Sequence, residues 1–449
     1  MTNMTGNTDP NEMTGMSGPD GATPAFPRTA FISLWFPKPS ETFVYREVLA
    51  LWRLGLPVRV FCLYGPVRSG LSEEMRDTDI PVERLGLGSI PRILADALRC
   101  LITRPATTLA VLTRVLTRPQ GGAEKFGENI LAAFCGFTLA RRCAALRIEH
   151  VHAAWANGSA TAAWVVSELT GIPFSFSARA GDVHPPDGLL GLKLRRAAFA
   201  RVDSSYNLPH LRAFIPDSPE KVHLVYNART MAAFSEAPAA MTAPVKLLGI
   251  GRFVETKGFQ FLIEALAVLR AKNHDVRLTL AGDGPWKARL AALAAKLGLA
   301  DRVDFPGFVA HDQVSRLLAS SDVLVMPSIR KPNGDSDGLP TVINEALYHR
   351  LPVVATDVAS ISDVVKHNQT GLLVPERDAK ALAEAIESML NNRSHAIAMA
   401  TAGRDLALAM FDPQTCIGKM KELLEKANPG GTPFCHGGRR PALRADDAR

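Results

Sequence analysis

The sequence predicts an α/β protein of two Rossmann-like lobes whose parallel sheets face a central cleft. Three observations point there. From Phe31 onward, short β-branched and aromatic runs alternate with amphipathic helical stretches. That rhythm breaks once, in the Ala- and Pro-rich "MAAFSEAPAAMTAPV", and then restarts with greater regularity. A chain of 449 residues also exceeds what one ordinary core organises.

In the first half, "TAFISLWF" reads as a strand, "ETFVYREVLALWRLG" as an amphipathic helix closed by Gly55, and "PVRVFCLYG" as the next strand. "IEHVHAAW", "IPFSFSA", "VDSSYN" and "KVHLVYN" continue the strands, with a helix over "GSATAAWVVSELTG". In the second half, strands at "KLLGIGRF", "VRLTLAGDG", "RVDFPGF", "DVLVMPS" and "PVVATDV" alternate with helices. Those helices fall on "FQFLIEALAVLRAKN", "WKARLAALAAKLG", "HDQVSRLLASS", "PTVINEALYH" and "AKALAEAIESMLNN", with a later one at "CIGKMKELLEKA". The expected organisation is a disordered extension over 1–27, a first lobe over 28–230, a linker over 231–244 and a second lobe over 245–410. A helix over 411–427, able to cross back to the first lobe, and a flexible basic tail over 428–449 complete it.

The polar N-terminus has no basic flank followed by an apolar run, so it reads as an extension and not as a signal peptide. No run of about 18 apolar residues marks a spanning helix. Six cysteines without a Cys-x-x-Cys pair read as reduced thiols of a cytoplasmic protein. The formal charge of +7 fits nucleotides, anionic lipid or nucleic acid as partners, and basic charge without interleaved aromatics gives nucleic acid little support. Residues 87–118 mix Leu, Ile and Val with five arginines and one acid, Asp96. They read either as a basic amphipathic surface for an anionic leaflet or as two lobe helices with solvated arginines.

The stretch "NGDSDGLPTVINEA", residues 333–346, crowds acids and glycines ahead of an apolar run. A calcium loop fits Asn333, Asp335, Asp337 and Gly338, but Asn344 then falls where a bidentate acid is required, so that reading fails. A metal-binding Asp335-Ser336-Asp337 would be expected after an early strand of a nucleotide-binding half, not three quarters of the way along the chain. The remaining reading is a metal-free sugar-nucleotide clamp. Pro340 suits the first turn of a helix carrying Val342, Ile343, Glu345, Ala346 and Leu347. Asp337 then lies just before that helix and Glu345 roughly 12 Å farther on. Carboxylates at both ends accept from sugar hydroxyls, and the helix N-terminus between them favours a diphosphate. "GIGRFVETKGF" supplies fixed cations, Arg252 and Lys257, between Gly251 and Gly258 on a strand-to-helix loop.

Taken together, "GIGRFVETKGFQFLIEAL", "LAGDGP", "VDFPGFV", "DGLPTVINEAL" and "TGLLVPERDAKALAEAI" resemble the retaining glycosyltransferase family 4, of the two-lobe GT-B type. "FPKPSETFVYREVLALWRLGLPVRV" and "HVHAAWANGSATAAWVVSELTGIPFSFSA" resemble its exopolysaccharide, colanic-acid-like branch. The resemblance implies sugar transfer from a UDP- or GDP-sugar with retention, and with no metal or other cofactor. It puts the acid-x7-Glu signature on Asp337, contacting the sugar, and Glu345, contacting the ribose. It implies diphosphate binding by Arg252, Lys257 and the N–H groups at Gly338 and Leu339, and a nucleobase wall at Phe308 and Val309. The first acid is Asp where Glu is more common. Arg179 stands where many relatives carry a sugar-binding His, with Asp182 and His184 close by, and Arg350 replaces a helix-ending Gly. His152 matches a family histidine; the other reading is a satisfied half-buried side chain.

His150 and His152 have no Cys or acid at ligand spacing, and neither Gly-x-Gly-x-x-Gly nor Gly-x-Ser-x-Gly occurs. The expected function is transfer to a lipid-linked oligosaccharide of extracellular polysaccharide or lipopolysaccharide, by a cytoplasmic enzyme peripheral to the inner face of the membrane. The alternatives are a sugar-nucleotide epimerase of the same plan and a catalytically silent sugar-nucleotide-binding regulator. Donor base, sugar, acceptor and linkage stay open.

Overall fold

The short runs "TAFIS" and "FSFSA" are buried at every position, as strands covered on both faces must be. The computed structural model describes residues 27–67, 69–118, 121–179, 181–228, 241–309, 311–332, 336 and 338–428. The expected N-terminal extension up to residue 26, most of the linker, the tail beyond 428, and Asn333, Asp335 and Asp337 lie outside the described residues.

The first sheet contains β1 (Thr29–Ser33), β2 (Val58–Cys62), β3 (Val82–Arg84), β4 (His150–Ala153), β5 (Phe174–Ala178), β6 (Phe199–Val202) and β7 (Val222–Leu224), in the order 3-2-1-4-5-6-7. The second contains β8 (Val245–Ile250), β9 (Val276–Ala281), β10 (Val303–Gly307), β11 (Val323–Met326), β12 (Val353–Thr356) and β13 (Leu372–Val374), in the order 10-9-8-11-12-13. Every strand pair is parallel. Both sheets are therefore doubly wound, and each has its strand-order reversal at its first strand. The two lobes have the GT-B fold.

Side-chain alternation splits each sheet between two cores. Ala30 and Ile32 join one cluster and Phe31 the other. In the second lobe Val323 and Val325 face one side and Leu324 and Met326 the other. The Pro413–Lys426 helix packs on the first lobe, where Ile417, Met420 and Leu424 meet Val44, Val48 and Leu51. Residues 87–118 form two helices, Ile90–Thr103 and Pro105–Thr117, against a long Ala123–Ala145 helix. Among the described residues no helix is long and apolar enough to cross a membrane.

Several elements differ from the sequence expectation. The "VDSSYN" strand is β6, which lies earlier and ends at Val202; Asp203 and the serines form the turn after it. Pro340 is the N-cap of the Thr341–Tyr348 helix, one position ahead of its first turn. The Ala123–Ala145 and Arg393–Met410 helices escape the hydrophobic pattern because they pack through small residues. Gly136 faces Val165 so closely that a Cβ there would lie 2.7 Å away, and Ala396, Ala400, Gly403 and Ala407 line the buried face of the later helix. Arg350 has φ of 52°, so the left-handed helix end usually given to Gly is kept here with a side chain.

Two glycines are fixed by close backbone approach. A Cβ on Gly258, at φ 63°, would lie 1.9 Å from the Pro327 carbonyl oxygen, and one on Gly282 would lie 1.9 Å from the Gly251 oxygen. Gly258→Ala and Gly282→Ala should each cost at least about 3 kcal/mol in urea unfolding, since backbone must move in both. Gly298→Ala, at φ 66° with open space around it, should cost only about 1–2 kcal/mol.

Candidate functional site

The second lobe brings three strand-end loops together. After β8, Gly251 N–H donates to Ala281 O and Phe253 N–H to Asp283 O, tying this loop to the one after β9. Glu255–Lys257 form one 3-10 turn and Gly258 opens the Phe259–Ala271 helix. Ile329 N–H donates to Thr256 O at 2.9 Å, so the loop after β11 closes the group. Arg252 is exposed, whereas the half-buried Lys257 lays its chain across Gly251, with Nζ 3.3 Å from where a Cβ would stand. Arg252, Lys257 and Gly251 thus occupy one loop at the cleft edge. At the end of β10, Phe308 is 82% exposed, and Val309 packs inward against the core below the Thr341–Tyr348 helix.

That eight-residue helix buries Val342, Ile343, Ala346 and Leu347 and leaves Glu345 half-buried. Its back is held by the Arg393–Met410 helix, where Gly403 admits the Leu347 side chain and Ala407 O accepts from Tyr348 Oη at 3.4 Å. No side chain among the described residues caps its N-terminus. Leu339 packs into the core beside it, and Gly338 O accepts from Ser360 N–H at 3.2 Å. Asp337 lies outside the described residues. No group of three or more His, Cys, Asp or Glu among the described residues could hold a metal ion.

Ser360 also carries the link to the first lobe, its Oγ accepting from Tyr206 N–H at 3.1 Å. Asp363 accepts from Ser205 N–H at 3.1 Å, from Ser205 Oγ and from Tyr226 Oη at 2.9 Å. Arg330 lies over the Tyr206 ring, 5.4 Å from its centre. All of these residues follow strand C-termini, so the C-terminal ends of the two sheets face each other across the cleft.

On the first-lobe side, His184 reaches this junction. Its Nε2 is 3.0 Å from Asn207 Oδ1, and its ring centre is 5.7 Å from that of Tyr206. Asn207 Nδ2 in turn donates to Arg179 O at 2.7 Å. The Arg179 side chain is buried between the Phe43 and Trp155 rings, within reach of Asp203 at 3.5 Å and Glu47 at 4.0 Å. Arg201 completes that cluster, paired with Glu47 and donating to Asn227 Oδ1 at 2.6 Å. The Asp182 carboxylate accepts from Ala156 N–H and Arg179 N–H, and burial pushes it up to about 6. His152 is fully buried, deeper than the half-buried position that one of its two sequence readings gave it. Its nitrogens are 2.8 Å from Ser175 Oγ and 3.1 Å from Ser177 Oγ, within the sheet core.

The structure therefore puts Gly251, Arg252 and Lys257 on one strand-end loop of the second lobe, Gly338 beside Ser360 in the same lobe and His184 on the first-lobe side, while Arg179, Asp182 and His152 serve the interior of the first lobe. Glu47, Asp203, Asp363 and Tyr206 went unnoticed in the sequence. Glu47 carried a signal, an acid inside the apolar stripe of "FVYREVLAL". Asp203 and Asp363 follow strands and would have needed correct strand ends to be seen.

Residues 233–406 match the family described as Glycosyl transferases group 1. The chain is 28% identical to the colanic acid biosynthesis glycosyltransferase WcaL of Salmonella typhimurium, over 79% of this chain and 89% of that protein. It is 35% identical to the GDP-mannose-dependent phosphatidylinositol monomannoside mannosyltransferase of Mycobacterium tuberculosis, over 39% of this chain and 46% of that one. The crystal structure of Anabaena HepE in complex with UDP shares the fold at a TM-score of 0.64 and 19% identity, covering 89% of this chain and all of that one. The sequence relatives support a glycosyltransferase.

The buried histidines give the first lobe a pH signature. Burial lowers His150 to about 3 and holds His152 well below its ordinary 6.5, with His150 and the Arg201 charge adding to the effect. The unfolded chain binds protons that the folded one refuses, so stability present above pH 6.5 is lost as the pH falls. At pH 5 each histidine costs about 2 kcal/mol. Asp182 acts oppositely, returning about 1 kcal/mol over the same interval because its folded carboxyl holds a proton up to about pH 6. Urea unfolding should show a net loss of about 2–3 kcal/mol between pH 7.5 and pH 5; a flat profile would contradict the buried, neutral state of the pair.

Proposed function

We propose that the chain is a retaining, metal-independent hexosyltransferase of family 4. In this reading it moves a sugar from a UDP- or GDP-sugar to a lipid-linked oligosaccharide in exopolysaccharide or lipopolysaccharide synthesis, on the cytoplasmic face of the membrane. The observation that carries the reading is that the Gly251–Lys257 loop and the loop after β11, from which the chain runs on to the Thr341–Tyr348 helix, are tied together at the C-terminal ends of two neighbouring strands, Ile329 N–H donating to Thr256 O. The sequence relatives are transferases by name, which favours transfer over the epimerase and regulator readings.

In this reading the diphosphate lies over the helix N-terminus, where the N–H groups at Gly338 and Leu339 donate to it. Arg252 forks two phosphate oxygens and Lys257 adds a point charge, so negative charge building on the β-phosphate as the glycosidic bond breaks meets fixed cations. Glu345 accepts from the ribose hydroxyls, and Asp337 accepts from hydroxyls of the transferred sugar. The exposed Phe308 stacks on the base, with Val309 behind it. The acceptor hydroxyl attacks from the face the leaving group departs, its proton passing to a departing phosphate oxygen. In the same reading His184, held by Asn207 on the opposite wall, orients sugar or acceptor.

Labelled donor with a membrane lipid extract should yield labelled glycolipid. Release of free, epimerised sugar and UDP without an acceptor would support the epimerase, and tight binding without turnover the regulator. Asp337→Ala and Glu345→Ala should each lower turnover by well over tenfold, since each removes charge-assisted bonds of about 1.5–3 kcal/mol. Wild-type rates in both variants would defeat the clamp.

A further inference from the structure

Among the described residues, eight of the twelve exposed large apolar side chains lie between Leu87 and Leu116. On the Ile90–Thr103 helix, Ile90, Leu94, Leu98 and Ile102 recur every fourth position and so share one face. The opposite face, carrying Ile93 and Asp96, is buried against the Ala123–Ala145 helix. Leu109 and Leu116 on the following helix are 54% and 56% exposed. A soluble surface rarely concentrates apolar side chains in this way without a partner.

Charge identifies the partner. The segment holds five arginines, and its one acid is spent inside, with Arg141 Nε 2.9 Å from Asp96 and Arg92 Nε 3.9 Å away. Arg104 anchors the hairpin to Leu169 O, while Arg92 and Arg99 stay exposed at the margin of the apolar face. A second copy of this face would bring the same arginines together with no free acid to meet them, which opposes a symmetric dimer. An anionic bilayer satisfies both features, with apolar side chains entering the acyl boundary and guanidinium groups meeting headgroup phosphates.

We propose that residues 87–118 are a membrane-docking hairpin that lies flat on an anionic leaflet through the Leu94–Leu98–Ile102 face. This deepens the peripheral attachment proposed above, although the surface argument stands without sugar transfer. The full-length protein should co-sediment with phosphatidylcholine vesicles carrying roughly 30% phosphatidylglycerol, and less so as salt rises. The L94S/L98S/I102S triple variant, altered only at exposed positions, should lose at least tenfold in partitioning while keeping its far-UV dichroism and its thermal shift with a nucleotide-sugar. R92Q/R99Q should bind more weakly and with a shallower salt dependence. Unchanged partitioning of the triple variant would overturn the proposal, as would a wild-type protein that ignores vesicles or forms a dimer dispersed by the three serines. Intact vesicle binding with no donor turnover would sink the transfer reading and leave this face standing.

Discussion

Backbone touching backbone, at places where no side chain fits, holds the second lobe's cleft edge together. Gly282 lies against the Gly251 carbonyl and Gly258 against that of Pro327, so the loops after β8, β9 and β11 are packed at main-chain distance. This contact fixes where Arg252 and Lys257 start, and it keeps the Phe259–Ala271 helix close to the sheet. A phosphate site needs that closeness because N–H groups and short-reaching cations act over about 3 Å, and a Cβ would hold the loops apart.

The first lobe solves a different problem. Its cleft-side polar groups are largely consumed within the protein: Arg179 and Arg201 share Glu47 and Asn227, Asp203 pairs with Arg179, and Asp182 holds two backbone N–H groups. Such a buried network fixes geometry more than it adds stability, since the desolvation of each charge offsets much of the attraction. Its effect is to set the strand-end loops, and with them His184, Tyr206 and Tyr226, at a defined place facing the other lobe. One acid, Asp363, then gathers three donors from across the cleft.

Most of the second lobe was legible because its strands and helices obey their own periods: bulky apolar runs for β8, β9, β11 and β12, and a broad apolar stripe for the Phe259–Ala271 helix. What escaped were elements whose contacts use Ala and Gly, as in the Ala123–Ala145 and Arg393–Met410 helices, since close packing of small residues leaves a weak hydrophobic signal. The loop cations were legible for a topological reason, their place between the first strand and the first helix of a doubly wound unit. Long-range pairings such as Glu47 with Arg201, 154 residues apart, have no local signature. For the same reason Arg179 stood beside His184 as a candidate for the sugar-binding place: the resemblance reported its position after β5 and said nothing of the acids and rings that enclose it.

Under the proposed function, the division of labour between the lobes follows from what each would recognise. A nucleoside diphosphate has a fixed charge and a fixed length, so a regular lobe with backbone donors and two cations suits it, and such a lobe tolerates little change in its loops. An acceptor varies in shape and arrives attached to something large. The lobe that meets it benefits from an internal frame that braces its loops from behind, with an outer surface left to vary. The exposed apolar hairpin belongs to that outer surface. It is built on the first lobe, so the proposed membrane docking would present a lipid-borne acceptor to that lobe's side of the cleft while the nucleotide enters from water.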